Sequence, residues 1–238
     1  MTERIDDLQR DGLRVVQDTE GFLFGIDAVL LSAYARAEEG EALLDLCTGT
    51  GVIPILLSAK TKAEKITGLE IWPESVELAR KSVRLNGLTS RIEIIEGDVK
   101  EADRIFAPAS FDVITCNPPY LKKEGGKTSA KDARAVARHE ILCTFDDVAR
   151  AAGTLLKPGG SFYLVHRPFR LPELFASLCK YRLEPKAMRL VHPYADHAPT
   201  MVLLRCVRDG RAELQIGAPL IVYEREGVYT KEVLEMYE

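Results

Sequence analysis

The 238-residue chain has one tryptophan, four histidines and five cysteines. Cys47, Cys116, Cys143, Cys179 and Cys206 are scattered, odd in number and never form a C-x-x-C pair. This excludes a zinc ribbon or a disulfide framework and predicts reduced thiols in the core. The histidines show no carboxylate-spaced ligand pattern, so no metal is expected. No apolar run approaches the roughly 18 residues of a membrane span. Met1-Thr2-Glu3-Arg4 is polar and unlike a signal peptide, so a cytoplasmic protein with no membrane partner is expected. An excess of positive charge is also lacking, since the formal net charge is −4. That argues against a wholly basic nucleic-acid coat but permits a local basic patch.

What the chain does have is alternation. Leu13 to Asp27 holds two short alternating runs around Asp18-Thr19-Glu20-Gly21, which reads as a hairpin. Asp27 stands where an N-cap would, ahead of a helical segment that should end near Gly40. Strands are expected at Ala42 to Leu46, Lys65 to Glu70, Ile92 to Ile95, Phe111 to Cys116 and Ser161 to His166. Two more follow at Lys186 to Val191 and Thr200 to Val207. Helices are expected at Ile53 to Ser58, from Pro73 to Leu85, from about Phe145 to Leu156 and from Pro172 to Leu183. Strands alternating with helices imply right-handed crossovers and an α/β, doubly wound, mostly parallel seven-stranded sheet. The short polar loop His192 to Pro199 leaves no room for a helix, so the last strand should run antiparallel. Residues 1–41 read as a hairpin and helix extension, and residues 42–238 as the main domain.

In such a sheet, ligands bind beyond the carboxyl ends of the strands. The first of these ends carries Asp45-Leu46-Cys47-Thr48-Gly49-Thr50-Gly51. Its glycines let backbone approach a ligand, and the helix behind them favours negative charge. The second ends in Glu70, which suits ribose hydroxyls or is simply a solvated strand-end charge. The third ends in Asp98, an acceptor for an amino group. The fourth ends in Asn117-Pro118-Pro119-Tyr120, a stiff segment offering an amide, bare carbonyls and a ring. A G-x-G-x-x-G dinucleotide turn is missing, because Pro54 stands three residues past Gly51, and no ATP-binding P-loop is present.

This order resembles the class I S-adenosylmethionine-dependent methyltransferase fold, from about Ala42 to Val207. The resemblance implies S-adenosyl-L-methionine as cofactor. Asp45, Cys47, Thr48, Gly49, Thr50 and Gly51 would then cradle its methionine part, Glu70 would hold its ribose, and Asp98 with Val99 would meet its adenine, with Ile71 a packing partner for that ring. Trp72 is either a packing partner for that ring or a partly exposed loop residue. Asn-Pro-Pro-Tyr is similar to the motif of enzymes that methylate a planar conjugated nitrogen. The resemblance makes Asn117, Pro118, Pro119 and Tyr120 the catalytic set, with Asn117 also facing the cofactor. The lone pair of such a nitrogen is delocalised. Two acceptors, the Asn117 side-chain oxygen and the Pro118 carbonyl, would favour a more pyramidal nitrogen while Tyr120 stacks on the base.

Three further stretches narrow the family. Phe24-x-x-Asp27-Ala28-x-Leu30-Leu31, Ala137-Arg138-His139-Glu140 and Ala218-Pro219-Leu220-Ile221-Val222-Tyr223 with Gly227-x-Tyr229-Thr230 resemble the bacterial tRNA1(Val) adenine-37 N6-methyltransferases. That likeness implies a tRNA partner, methylation beside the anticodon, and cofactor-pocket roles for Phe24 and Asp27. Asp27 alternatively caps its helix. Residues 121 to 140 hold six basic and three acidic side chains. Lys122, Lys123, Lys127, Arg134 and Arg138 either meet RNA phosphate or form an ordinary solvated loop. His139 either faces the substrate or is structural. A glutamine-amide methyltransferase of the release-factor-modifying type, another RNA amino-group methyltransferase and a non-enzymatic RNA-binding relative are the competing readings. The first usually carries a separate N-terminal domain, for which the roughly forty residues before Ala42 are too few.

Overall fold

The computed structural model describes residues 2–19, 23–118 and 143–237. Its centre is the run of strands β3 (Ala42–Leu46), β4 (Lys65–Glu70), β5 (Ile92–Glu96), β6 (Phe111–Cys116) and β7 (Leu156–His166). All five pair in parallel, with β3 between β4 and β6. Strand order therefore reverses beside β3, and the crevice at its carboxyl end is the topological switch point. Strand β8 (Leu183–His192) is followed by β9 (Met201–Arg208), which inserts antiparallel between β7 and β8. Two short strands, β10 (Gln215–Ile216) and β11 (Leu220–Ile221), extend the sheet parallel to β8, giving nine strands among the described residues.

Helices cover both faces. Helices α1 (Ile26–Tyr34), α2 (Val52–Lys60) and α3 (Pro73–Leu85) bury Leu30, Leu31, Ile55, Leu57 and Val76 in one apolar cluster. A short helix, α4 (Ala102–Ile105), with α5 (Phe145–Leu155) and α6 (Leu171–Lys180), closes the other face over Ile114, Phe162 and Leu164. The sequence accounts for several of these ends. Pro73 opens α3, and Gly87 at φ 67° follows its end in the left-handed region. Thr144 and Asp147 form a reciprocal capping box on α5.

Several boundaries differ from expectation. The hairpin pairs β1 (Glu3–Asp7) with β2 (Arg14–Asp18), one strand earlier than expected. Its turn includes Asp11 and Gly12, both at positive φ, and Leu23 to Gly25 is not a strand. The sequence hid β1 because its one apolar residue, Ile5, is exposed. Its partner β2 is held from the far side, where the Val16 amide donates to Ser82 Oγ on α3. Asp27 is the second residue of α1 rather than its cap. Gly25 is the cap, and Asp27 Oδ1 accepts from the Ala28 amide. That helix stops at Tyr34, short of Gly40, because the Arg36 guanidinium satisfies the carbonyls of Ala33 and Ala35. Strand β7 starts at Leu156, so Pro158-Gly159-Gly160 lies inside it as an irregularity. Strand β8 begins three residues earlier than expected, passing through a register shift at Pro185.

The C-terminal tail, left unassigned by periodicity, forms the hairpin β12 (Tyr223–Arg225) and β13 (Val228–Tyr229) and helix α7 (Lys231–Tyr237). Tyr194, Tyr223, Tyr229 and Tyr237 make a run of ring contacts with centroids 5.1 to 5.8 Å apart. The run ties this tail back to the body, where Val233 is fully buried.

Candidate active site

The glycine turn is built on a buried carboxylate. Asp45 is fully enclosed. Its Oδ2 accepts from Thr48 Oγ1 at 2.6 Å and its Oδ1 from Thr115 Oγ1 at 2.6 Å. One acid thus ties the turn after β3 to the end of β6, two residues before Asn117. Burial pushes its carboxyl up to about 7, against the pull of the two hydroxyl donors. Thr115 was not singled out in the sequence, where a β-branched residue inside the run Phe111 to Cys116 is ordinary strand composition.

Cys47 leaves the strand at φ 59°, an uncommon conformation for a residue with a side chain. Gly49 at φ 58° and Gly51 at φ 83° continue the turn. A Cβ on Gly49 would meet nothing within 4 Å, so this stretch of backbone faces open space. A Cβ on Gly51 would lie 3.2 Å from that of Ala79 on α3. Gly68 in β4 makes room for Thr48, whose Cγ2 lies 2.9 Å from where a Cβ would stand. The turn therefore needs glycine both for its shape and for its neighbours.

Glu70 is only 4% exposed, so it is not a solvated strand-end charge. Its Oε2 accepts from the Gly49 amide at 2.8 Å, and its Oε1 from the amides of Ile71 and Trp72, each at 3.0 Å. Burial raises its pKa, and those amides oppose the rise. The carboxylate retains lone pairs beyond these three bonds, as an acceptor for hydroxyls requires. Asp98 lies two residues past the end of β5 and caps a short turn, accepting from the Lys100 amide at 2.9 Å. The Lys100 ammonium lies 3.4 Å from its other oxygen. Val99 beside it is buried.

The structure brings Asp45, Cys47, Thr48, Gly49, Thr50, Gly51, Glu70, Ile71 and Asn117 to adjoining strand ends. The pairing of Leu46 with Cys116 sets Cys47 level with Asn117. Asn117 Oδ1 is buried and has no hydrogen-bond partner among the described residues. A buried, unsatisfied amide oxygen costs about 1–3 kcal/mol, which marks it as an acceptor awaiting a donor. Pro118 beside it is buried. Phe24 and Asp27 sit at the amino end of α1, and the Phe24 amide donates to Gln17 Oε1 at 2.9 Å. Pro119, Tyr120, Lys122, Lys123, Lys127, Arg134, Arg138 and His139 lie outside the described residues.

His166, also not singled out, ends β7 level with Pro118 by the pairing of Cys116 with Leu164. It is 2% exposed, its ring meets that of Phe145 edge-on, and burial pushes its pKa down to about 4. Its Nδ1 accepts from the Arg167 amide, so the neutral ring carries its proton on Nε2. Among the described residues no group of three or more metal-ligating side chains occurs, and no helix is long and apolar enough to cross a membrane.

Residues 37–199 match a family model described as a methyltransferase domain. A protein of Phocaeicola vulgatus named tRNA1(Val) (adenine(37)-N6)-methyltransferase is 30% identical, over 92% of this chain and 93% of its own length. A protein of the same name from Shewanella halifaxensis is 31% identical, over 89% and 86%. Among solved structures, one described as a predicted O-methyltransferase from Agrobacterium tumefaciens superposes with a TM-score of 0.73 at 26% identity, covering 89% of this chain and 95% of that one.

Proposed function

Because the chain belongs to the tRNA1(Val) (adenine(37)-N6)-methyltransferase family, we propose that it methylates N6 of adenine 37 in a valine tRNA, using S-adenosyl-L-methionine. The observation that carries this reading is the buried Asn117 Oδ1 with no partner among the described residues, beside a glycine turn whose backbone faces open space. An exocyclic amine brings two hydrogens, and this site offers an acceptor that lacks one.

The residues fit the cofactor. The turn from Cys47 to Gly51 would hold its methionine part, the spare lone pairs of Glu70 its ribose hydroxyls, and Asp98 its adenine amino group. When bound, the cofactor supplies an electrophilic methyl carbon. Asn117 accepts one N6 hydrogen and the Pro118 carbonyl the other, which directs the nitrogen lone pair out of the ring plane. Methylation makes that nitrogen acidic, so its surplus proton passes to water and no strong base is needed. His166, neutral well above its depressed pKa, adds no charge of its own beside Pro118 at neutral pH. Positioning and desolvation by these groups supply the rate. A tRNA substrate would fit a cytoplasmic location.

The test is transfer from labelled cofactor to unmodified tRNA, with a release factor in parallel, followed by digestion to nucleosides and amino acids. N6-methyladenosine from the tRNA is the expected product; methylglutamine from the release factor would overturn the reading. Asn117→Ala should lower turnover on the order of 10²–10³-fold while leaving cofactor affinity intact. If affinity and turnover fall together, Asn117 is structural.

A further inference from the structure

Among residues 3–18, the N-terminal hairpin buries one polar side chain, that of Gln17 on β2. It is 1% exposed and follows Val15 and Val16 into the core. A buried amide is tolerated where both its ends are satisfied, and here both are. Its Oε1 accepts from the Phe24 amide at 2.9 Å, and its Nε2 donates to Asp6 Oδ2 on β1. The Arg4 guanidinium grips the same carboxylate, with Nη2 2.8 Å from Oδ2 and Nε 2.6 Å from Oδ1. That hold keeps the Asp6 carboxyl below its usual range, so at neutral pH it can only accept. A backbone N–H can only donate. The Gln17 amide therefore has one orientation, and Arg4, Asp6, Gln17 and Phe24 form a chain of bonds from β1 across β2 to the segment ahead of α1.

That segment lies at the same edge of the sheet as the candidate site. Just past the other end of α1, Arg36 and Ala37 line a cavity with Asp112, Lys157 and Pro158, at the amino ends of β6 and β7. The amino end of α1 therefore reaches the carboxyl ends of the strands, where the glycine turn and Asn117 lie. Helix α1 packs on α2, which begins directly after Gly51. Phe24 is half-buried against the apolar cluster that includes Val52 and Ile53 from the first turn of α2. Residues 23–25 belong to no helix or strand, so their position depends on bonds such as that from the Phe24 amide to Gln17. An apolar side chain at position 17 would pack as Val15 and Val16 do but would leave that amide without its acceptor.

We infer that Gln17 is a positioning residue for the methyl donor: through the Phe24 backbone it sets the Phe24 ring as a wall of the cofactor pocket beside the glycine turn. The inference rests on the methyltransferase reading above. Gln17 acts at one remove, since its own two bonds stay inside the protein. The hairpin is then a strut of the pocket, and small displacements of such a wall reach the bound group.

The experiment measures S-adenosyl-L-methionine affinity by titration calorimetry, with KM for cofactor and for tRNA, in the full chain and its variants. Gln17→Met keeps the volume and removes both bonds; it should weaken cofactor binding about tenfold and leave KM for tRNA unchanged. Gln17→Glu restores the bonds when protonated, because its O–H donates to Asp6 while its C=O accepts from Phe24. Its cofactor affinity should match wild type at about pH 6 and fall by about pH 9, as the new carboxyl ionises against Asp6. In a Phe24→Ala background, Gln17→Met should add no further loss, because Gln17 acts through that ring. Ser82→Ala loosens the hairpin from α3 by removing the acceptor of the Val16 amide, and should leave cofactor affinity unchanged. Should the methionine variant fail to fold, the pH dependence of the glutamate variant decides the matter alone. Unchanged affinity in Gln17→Met or Phe24→Ala, losses that add in the double variant, or a glutamate variant that follows wild type at every pH would overturn the inference. So would an equal loss in Ser82→Ala, which would make Gln17 merely structural. A wild-type chain that binds no S-adenosyl-L-methionine would instead bring down the methyltransferase reading, and this inference with it.

Discussion

Asp45 and His166 are both buried, and their ionisations are displaced in opposite directions, so the pH dependence of stability should hide one behind the other. The Asp45 carboxyl is raised from 3.8 to about 7. The folded chain therefore holds a proton that the unfolded chain releases between those values, and stability falls as pH rises through that window. Three units at about 1.4 kcal/mol each make the loss about 4 kcal/mol. His166 is lowered from 6.5 to about 4, so its contribution is lost as pH falls through that window, by about 3 kcal/mol. Between pH 4 and 6.5 the two slopes oppose and nearly cancel. Asp45→Asn removes one of them. The amide fits, because its oxygen accepts from one threonine and its NH2 donates to the other, whose hydroxyl can turn to accept. Urea unfolding of both proteins at intervals from pH 4 to 8 gives the stability difference, in which all shared groups cancel. That difference should grow in favour of the variant by about 4 kcal/mol between pH 4 and pH 7.5, while the variant alone shows the uncovered His166 slope. A difference that stays flat to within about 1 kcal/mol would refute the account of Asp45 as a desolvated carboxyl.

Two further substitutions follow from the same crevice. Glu70→Ala strands the amides of Gly49, Ile71 and Trp72; urea denaturation should show a loss of about 2–4 kcal/mol together with weakened cofactor binding. Wild-type stability in that variant would mean that the three bonds hold nothing in place. Gly51→Ala should destabilise by about 1–3 kcal/mol through its left-handed φ and the close Ala79. Adding Ala79→Gly should relieve the contact and leave the backbone strain, so full recovery of the melting temperature would show that the strain argument is wrong.

The sheet was readable because burial on both faces leaves mostly apolar runs such as Ala42 to Leu46, broken only by Asp45, and Phe111 to Cys116, broken by Asp112 and Thr115. The site was readable because strand ends carry residues that a core strand would not tolerate. Thr115 escaped notice because a hydroxyl in a β-branched residue passes for ordinary strand composition. Only its bond to Asp45 shows that the carboxylate joins two strand ends. Glu70 was legible in type but not in state, since the sequence left a solvated charge open while burial and three amides exclude it. Strand β1 was hidden by its charges, and the C-terminal tail by its strands of two or three residues, too short for any period to register. Asp27 is the second residue of the helix it was expected to cap, because the cap is Gly25, which leaves no side-chain signal.

The antiparallel insertion of β9 has a consequence for how the chain leaves the ribosome. Strand β7, with Phe162, Leu164 and Val165 fully buried, has one edge on β6 and the other on β9. Until residue 208 has been synthesised, that second edge has no partner, and a nascent chain presents an apolar strand as an open template. β8, made before β9, cannot join the sheet first, because β9 is the element that connects it to β7. Completion of the barrier against misassembly is thus delayed until β9 has been made. A chain ending before Thr200 would carry every residue of the candidate site and still be expected to aggregate.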